Sequence, residues 1–151
     1  MRIRYEKLQK LLEEKKLDAV LVSDGYNMRY LSGFTGATGY LLITKNSKTL
    51  FTDSRYTVAA TAQAPEYKVV EVDAARDYCA VINKGLEEEN IVTLGFEALQ
   101  VRYSTYEGLK SRLEVKELVP LKTELADLRR IKTAEEIALH RQAEHIGDIA
   151  F

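Results

Sequence analysis

The spacing of apolar positions changes repeatedly along this chain between helical and extended periods. Over residues 5–16, Tyr5, Leu8, Leu11 and Leu12 form one stripe with Glu and Lys opposite, which predicts an amphipathic helix. Residues 17–23 (LDAVLVS) form a short apolar run closed by Asp24-Gly25, the pattern of a buried strand. A short helix over 26–31 leads into the glycine-spaced segment Gly33-Phe-Thr-Gly36-Ala-Thr-Gly39. Residues 40–44 and 49–52 read as two strands, and the four polar residues between them suit an antiparallel hairpin. A helix over 54–64, with Asp53 as its cap, is stopped by Pro65. The strand pattern returns at 67–72, with Asp73 positioned to cap a helix over 74–89. Residues 91–96 read as a further strand. Ser104-x-x-Glu107 predicts a capping box opening a helix to about 113, and 115–119 a last strand. Six strands interleaved with helices predict a layered α/β domain with a mixed sheet.

The last thirty or so residues behave differently. Residues 121–132 are charge-rich and read as a short helical connector, and Thr133-Ala-Glu-Glu136 is a second capping box. The helix it opens is still running at Phe151, with Leu139, Ala143, Ile146 and Ala150 on one face. No Gly, Asn or Pro stops it, and no later segment covers its stripe. This predicts a chain cut from a longer protein.

Composition narrows the function classes. The 151 residues weigh 17.2 kDa, enough for one domain with a full core, and 46% of them are apolar. Twenty-two basic residues balance 23 acidic ones, giving a net charge of −1, which argues against a phosphate-binding face for nucleic acid. No segment approaches a membrane span or a signal peptide, and Cys79, the single cysteine, excludes an internal disulfide. In its apolar stretch Cys79 reads as a buried thiol. A reducing cytoplasm fits these features.

Several chemistries lack their parts. His140 and His145 are the only histidines; five residues apart, they lie roughly 140° from each other around a helix, the wrong spacing for a zinc pair. The same scarcity disfavours a Ser-His-Asp triad. Gly33, Gly36 and Gly39 match neither a dinucleotide fingerprint nor a phosphate loop, and read as a segment needing positive φ or close backbone approach. Asp24, Asp53, Glu71, Asp73 and Glu97 fall near strand ends, but no pair has distinctive metal-ligand spacing. In Thr52-Asp53-Ser54-Arg55-Tyr56, the Arg55 fork suits a carboxylate. That carboxylate is Asp53, in a structural latch, or belongs to a ligand or a neighbouring subunit.

Asn27-Met-Arg-Tyr30-Leu31-Ser-Gly33-Phe34-Thr-Gly36, followed by Thr52-Asp53-Ser-Arg55-Tyr56, resembles the amino-terminal domain of the creatinase, prolidase and aminopeptidase P family. Leu128-Arg-Arg-Ile131-Lys132-Thr-Ala-Glu-Glu136-Ile137 is similar to that family's junction with its peptidase domain. The resemblance implies a three-layer, ribonuclease-H-like α/β fold with a six-stranded mixed sheet over 1–120, and a linker plus truncated first peptidase helix over 121–151. It implies a parent Xaa-Pro aminopeptidase or dipeptidase holding two divalent metals (such as Mn, Co or Zn) on residues outside this chain. This piece then has no catalytic residue, metal ligand or cofactor, and is inactive alone. It shapes the substrate cleft and the dimer interface, with Arg55 and Tyr56, then Tyr30 and Phe34, as cleft or interface candidates. Asp53, Gly33 and Gly36 are its structural motif. The implied partners are its own carboxy-terminal peptidase domain, a second copy in a homodimer and a proline-containing peptide, with neither nucleic acid nor membrane. Other readings stay open: a stand-alone protein-binding module on the same fold, or the corresponding domain of a creatinase-type amidinohydrolase. A ribonuclease-H-type nuclease, which needs carboxylates converging on magnesium, is disfavoured by the charge balance.

Overall fold

All four residues of β1 (Ala19–Val22) are buried, because the strand is central and helices cover it on both sides. The computed structural model describes residues 2–36 and 38–150. The chain before and after β1 runs α1 (Arg2–Lys15), α2 (Gly25–Ser32), β2 (Tyr40–Thr44), β3 (Lys48–Asp53), α3 (Thr57–Gln63), β4 (Lys68–Val72), α4 (Tyr78–Glu88), β5 (Thr93–Glu97), α5 (Tyr103–Arg112), β6 (Glu117–Leu121), α6 (Glu124–Asp127) and α7 (Ala134–Ala150). The six strands form one sheet in the order β4-β3-β2-β1-β5-β6. β2 is antiparallel to β1 and β3, as the hairpin pattern predicts, while β1–β5, β3–β4 and β5–β6 are parallel. The predicted α/β class and six-stranded mixed sheet therefore hold.

Strand alternation divides the interior into two layers. Val20, Val22, Leu41, Ile43 and Leu50 face α1, α2, α3 and α6. Ala19, Leu21, Leu42, Phe51 and Leu94 face α4 and α5. Cys79 is buried in the second layer, where burial raises its thiol pKa, so it is an inert packing group.

Several helix starts differ from expectation. Asp53 does not cap α3; a turn from Asp53 to Tyr56 delays the helix to Thr57, and Tyr56 occupies the cap position without a side-chain bond. Asp73 closes a turn on the Ala75 and Arg76 amides, and Asp77 caps α4 by accepting from Ala80 N. Ser104 and Glu107 form no capping box, because α5 has already begun at Tyr103 with Arg102 as its cap. The Thr133–Glu136 box does form: Thr133 N donates to Glu136 Oε2 at 2.9 Å, and Glu136 N to Thr133 Oγ1 at 3.2 Å. β6 lies two residues later than expected and contains Pro120, which an edge strand tolerates because one side of its backbone needs no partner.

In the glycine segment, Gly33 ends α2 at φ 82°, and a Cβ at Gly36 would lie 2.1 Å from Phe34 Cζ. The first needs the left-handed region and the second a bare backbone beneath an aromatic ring. Ala37, within this segment, and Phe151, at the end of the last predicted helix, lie outside the described residues.

Candidate functional site

All strands except β2 run the same way, so their carboxyl ends share one edge of the sheet. In open α/β sheets this edge is the usual place for a ligand crevice. It carries Ser23 and Asp24 after β1, Asp53 at the end of β3 and Glu97 at the end of β5. Because β2 is reversed, it also carries Tyr40 at the start of that strand.

Asp53 and Arg55 form a closed fork. Arg55 Nε donates to Asp53 Oδ1 at 2.9 Å, its terminal Nη2 to Oδ2 at 2.8 Å, and its backbone amide to Oδ1 at 3.0 Å. Hydrogen bonding from Arg55 holds the Asp53 carboxyl below the usual carboxylate range, and Asp53 in return raises the pKa of the guanidinium. The latch reading of this pair is therefore present in the structure. It does not bury the arginine, whose side chain is 72% exposed. The guanidinium is held by one edge, leaving its outer N–H groups unspent.

Behind the fork stands a rigid aromatic wall. The Arg55 guanidinium carbon lies 5.5 Å from the centre of the Tyr56 ring, and Tyr56 meets Phe34 edge-to-face at 6.2 Å. Phe34 is buried on Gly36, so this glycine, Phe34, Tyr56, Arg55 and Asp53 form one contiguous unit. Tyr30 is engaged elsewhere: its hydroxyl donates to Leu128 O at 2.9 Å, and Arg4 lies 4.6 Å above its ring. The structure thus joins Phe34 to Arg55 and Tyr56 and places Tyr30 under the carboxy-terminal segment.

Other residues reach this edge only through the fold. Tyr40 and Tyr78 pack edge-to-face at 5.1 Å, and the Tyr78 hydroxyl is buried without a hydrogen-bond partner. Burial raises the Tyr78 phenol pKa, and the Asp53 carboxylate adds to the rise. Alongside lies an open cleft of about 390 Å³ lined by Ser23, Asp24, Tyr40, Gln100, Arg102 and Thr105. Arg102, Gln100 and Tyr78 escaped the sequence reading because only the order β1-β5 and the placement of α4 bring them here; position after a strand was the available signal.

The strand-end carboxylates do not gather on a metal. Glu97 takes donors from Ser23, Asp24 and Asn27, Asp73 from Ala75 and Arg76, and Glu71 from Thr57. Among the described residues no group of three or more His, Cys, Asp or Glu is placed to hold an ion. Both histidines lie on the exposed α7. Nor is any helix among them long and apolar enough to cross a membrane.

The arrangement has known counterparts. Residues 4–131 match the family model described as "Creatinase/Prolidase N-terminal domain". The chain belongs to this family. The creatinase/prolidase domain seen here is similar to the uncharacterized peptidase YqhT of Bacillus subtilis, at 32% identity over 99% of this chain and 42% of that protein. It superposes on the Xaa-Pro dipeptidase from Bacillus anthracis with a TM-score of 0.91 at 32% identity, covering 98% of this chain and 41% of that one. The N-terminal domain of the cytoplasmic peptidase PepQ from Mycobacterium tuberculosis H37Rv gives a TM-score of 0.74 at 33% identity, covering 83% and 98% respectively. The chain therefore spans about two-fifths of the longer relatives and nearly all of a solved N-terminal domain.

Proposed function

We propose that this creatinase/prolidase domain is the non-catalytic amino-terminal part of a proline-specific dinuclear metallopeptidase, an Xaa-Pro aminopeptidase or dipeptidase. Residues 1–120 form the domain, and 121–151 carry the linker and the first helix of the peptidase domain. One observation carries its role: the Arg55 fork, held on one side by Asp53 and braced by Tyr56 on Phe34, projects unspent donors from the carboxyl edge of the sheet. A planar donor fork with a fixed back is suited to a peptide carboxylate or carbonyl presented by a partner subunit's cleft.

The exposed apolar face of α7 supports the domain arrangement. Leu139, Ile146 and Ile149 are 63%, 68% and 72% exposed, a pattern suited to a covering domain. Two divalent ions in that domain would activate water and polarise the scissile carbonyl. The described residues of this chain offer them no ligand set, and no step runs through them here. The enzyme so built is a cytoplasmic homodimer that takes proline-containing peptides and neither nucleic acid nor membranes.

The test joins this chain to the peptidase domain of a relative and assays Xaa-Pro peptides with divalent metal. Metal-dependent cleavage should appear in the fusion and be absent from the chain alone. In the active fusion, Arg55→Ala should raise KM about tenfold while changing kcat less, and Arg55→Lys should recover only part of the loss because lysine lacks the fork. A folded, metal-loaded fusion without activity favours a stand-alone binding module.

A further inference from the structure

Glu97, at the end of β5, is 3% exposed and carries four hydrogen bonds. Its Oε2 accepts from Ser23 N at 2.5 Å, Ser23 Oγ at 3.1 Å and Asp24 N at 2.7 Å. Its Oε1 accepts from Asn27 Nδ2 at 2.7 Å. Asn27 is also buried, and its Oδ1 accepts from Arg129 Nε at 2.6 Å. Arg129 lies over the exposed Tyr26 ring at 5.7 Å, in the segment between α6 and α7.

The polarity of this chain is forced. An ionised carboxylate only accepts and a guanidinium only donates, so an amide between them has one permitted orientation. The Asn27 NH2 must face Glu97, which turns its oxygen to Arg129. Neighbouring bonds fasten the same segment: Tyr30 Oη donates to Leu128 O at 2.9 Å, Lys7 Nζ to the same oxygen at 3.4 Å, and Arg4 pairs with Glu136 at 3.0 Å.

We propose that Glu97 and Asn27 are positioning residues that lock the orientation of the Asn27 amide, and through Arg129 fix the direction in which α7 leaves the domain. Glu97 acts here at a distance, touching neither Arg129 nor α7 in this chain of contacts. What α7 carries beyond the domain rests on the proposed function. The lock itself is readable on this chain alone, so the two fail separately.

Glu97→Gln is the decisive variant because it conserves shape and reverses one contact. If its oxygen keeps the Ser23 and Asp24 donors, its NH2 meets the Asn27 NH2. Asn27 then flips and presents a donor to a donor, expelling Arg129. Trypsin cleavage after Arg129 and Arg130 should rise about tenfold, the scale of one lost hydrogen bond to a charged group. The Arg129 Nε–H resonance should move to an exposed position. Ser23→Ala, which removes one bond without changing the amide orientation, should leave both readings unchanged. Arg129→Ala breaks the chain at its outer end and should raise cleavage after Arg130 similarly; adding Glu97→Gln should then give no further increase. Cleavage and an Arg129 resonance at wild-type values in Glu97→Gln overturn the lock. Should that variant fail to fold, unchanged cleavage after Arg130 in Arg129→Ala overturns it equally.

Discussion

Asp53 and Arg55 stand two residues apart at a strand end, and that closeness made their pairing legible without any knowledge of the sheet. Charge transfers the consequence to pH. The pair depresses the folded-state pKa of Asp53, so its stabilising contribution is complete above the ordinary carboxylate range and is lost as pH falls through the depressed value. An NMR titration of the Asp53 carboxyl carbon should therefore show a low midpoint in the wild type. Arg55→Ala should bring that midpoint up toward an ordinary aspartate, and an unmoved midpoint would show that the latch is not the cause. The same sequence reading could not find Tyr78 beside Asp53. Their separation along the chain crosses α3 and β4, and only the parallel β3–β4 pairing folds it back. Tyr30 shows the reverse limit: its place in the motif was visible, but the oxygen its hydroxyl meets belongs to Leu128.

At the scale of elements, periodicity located every strand and helix core, whereas local polar residues misled at three helix starts. Asp73 and Ser104 have the right identities for caps, yet the backbone reaches helical geometry only at Tyr78 and already at Tyr103. A side chain can cap only where the chain enters the helix, and tertiary packing decides that point. Asp77 caps α4 and also pairs with Arg112 at the end of α5, tying the two helices of one layer together. Asp77→Ala should consequently lower the urea midpoint measurably, with an unchanged m-value. Ser104→Ala should leave the midpoint within error, since its hydroxyl caps nothing. Equal losses in the two variants would restore the capping box that the sequence suggested. Strand β6 runs through Pro120, because its edge position removes the penalty a proline imposes in a central strand.

On the scale of the whole molecule, the two segments that follow β6 differ sharply in how they are attached. Leu125 of α6 is buried in the layer formed by α1, α2 and the sheet, and Arg129 and Leu128 are bonded to Asn27 and Tyr30. Helix α7 buries none of its described side chains and reaches the domain through partly exposed contacts such as Arg4–Glu136. A partly exposed ion pair of this kind contributes about 1 kcal/mol or less, whereas truncating a buried leucine costs about 2–5 kcal/mol. Removing α7 should therefore change Tm by no more than about 3 °C, while Leu125→Ala should lower it by roughly 5–15 °C. Scanning calorimetry of the two variants separates the cases. If loss of α7 proved as damaging as loss of Leu125, the helix would be a working part of this domain's stability.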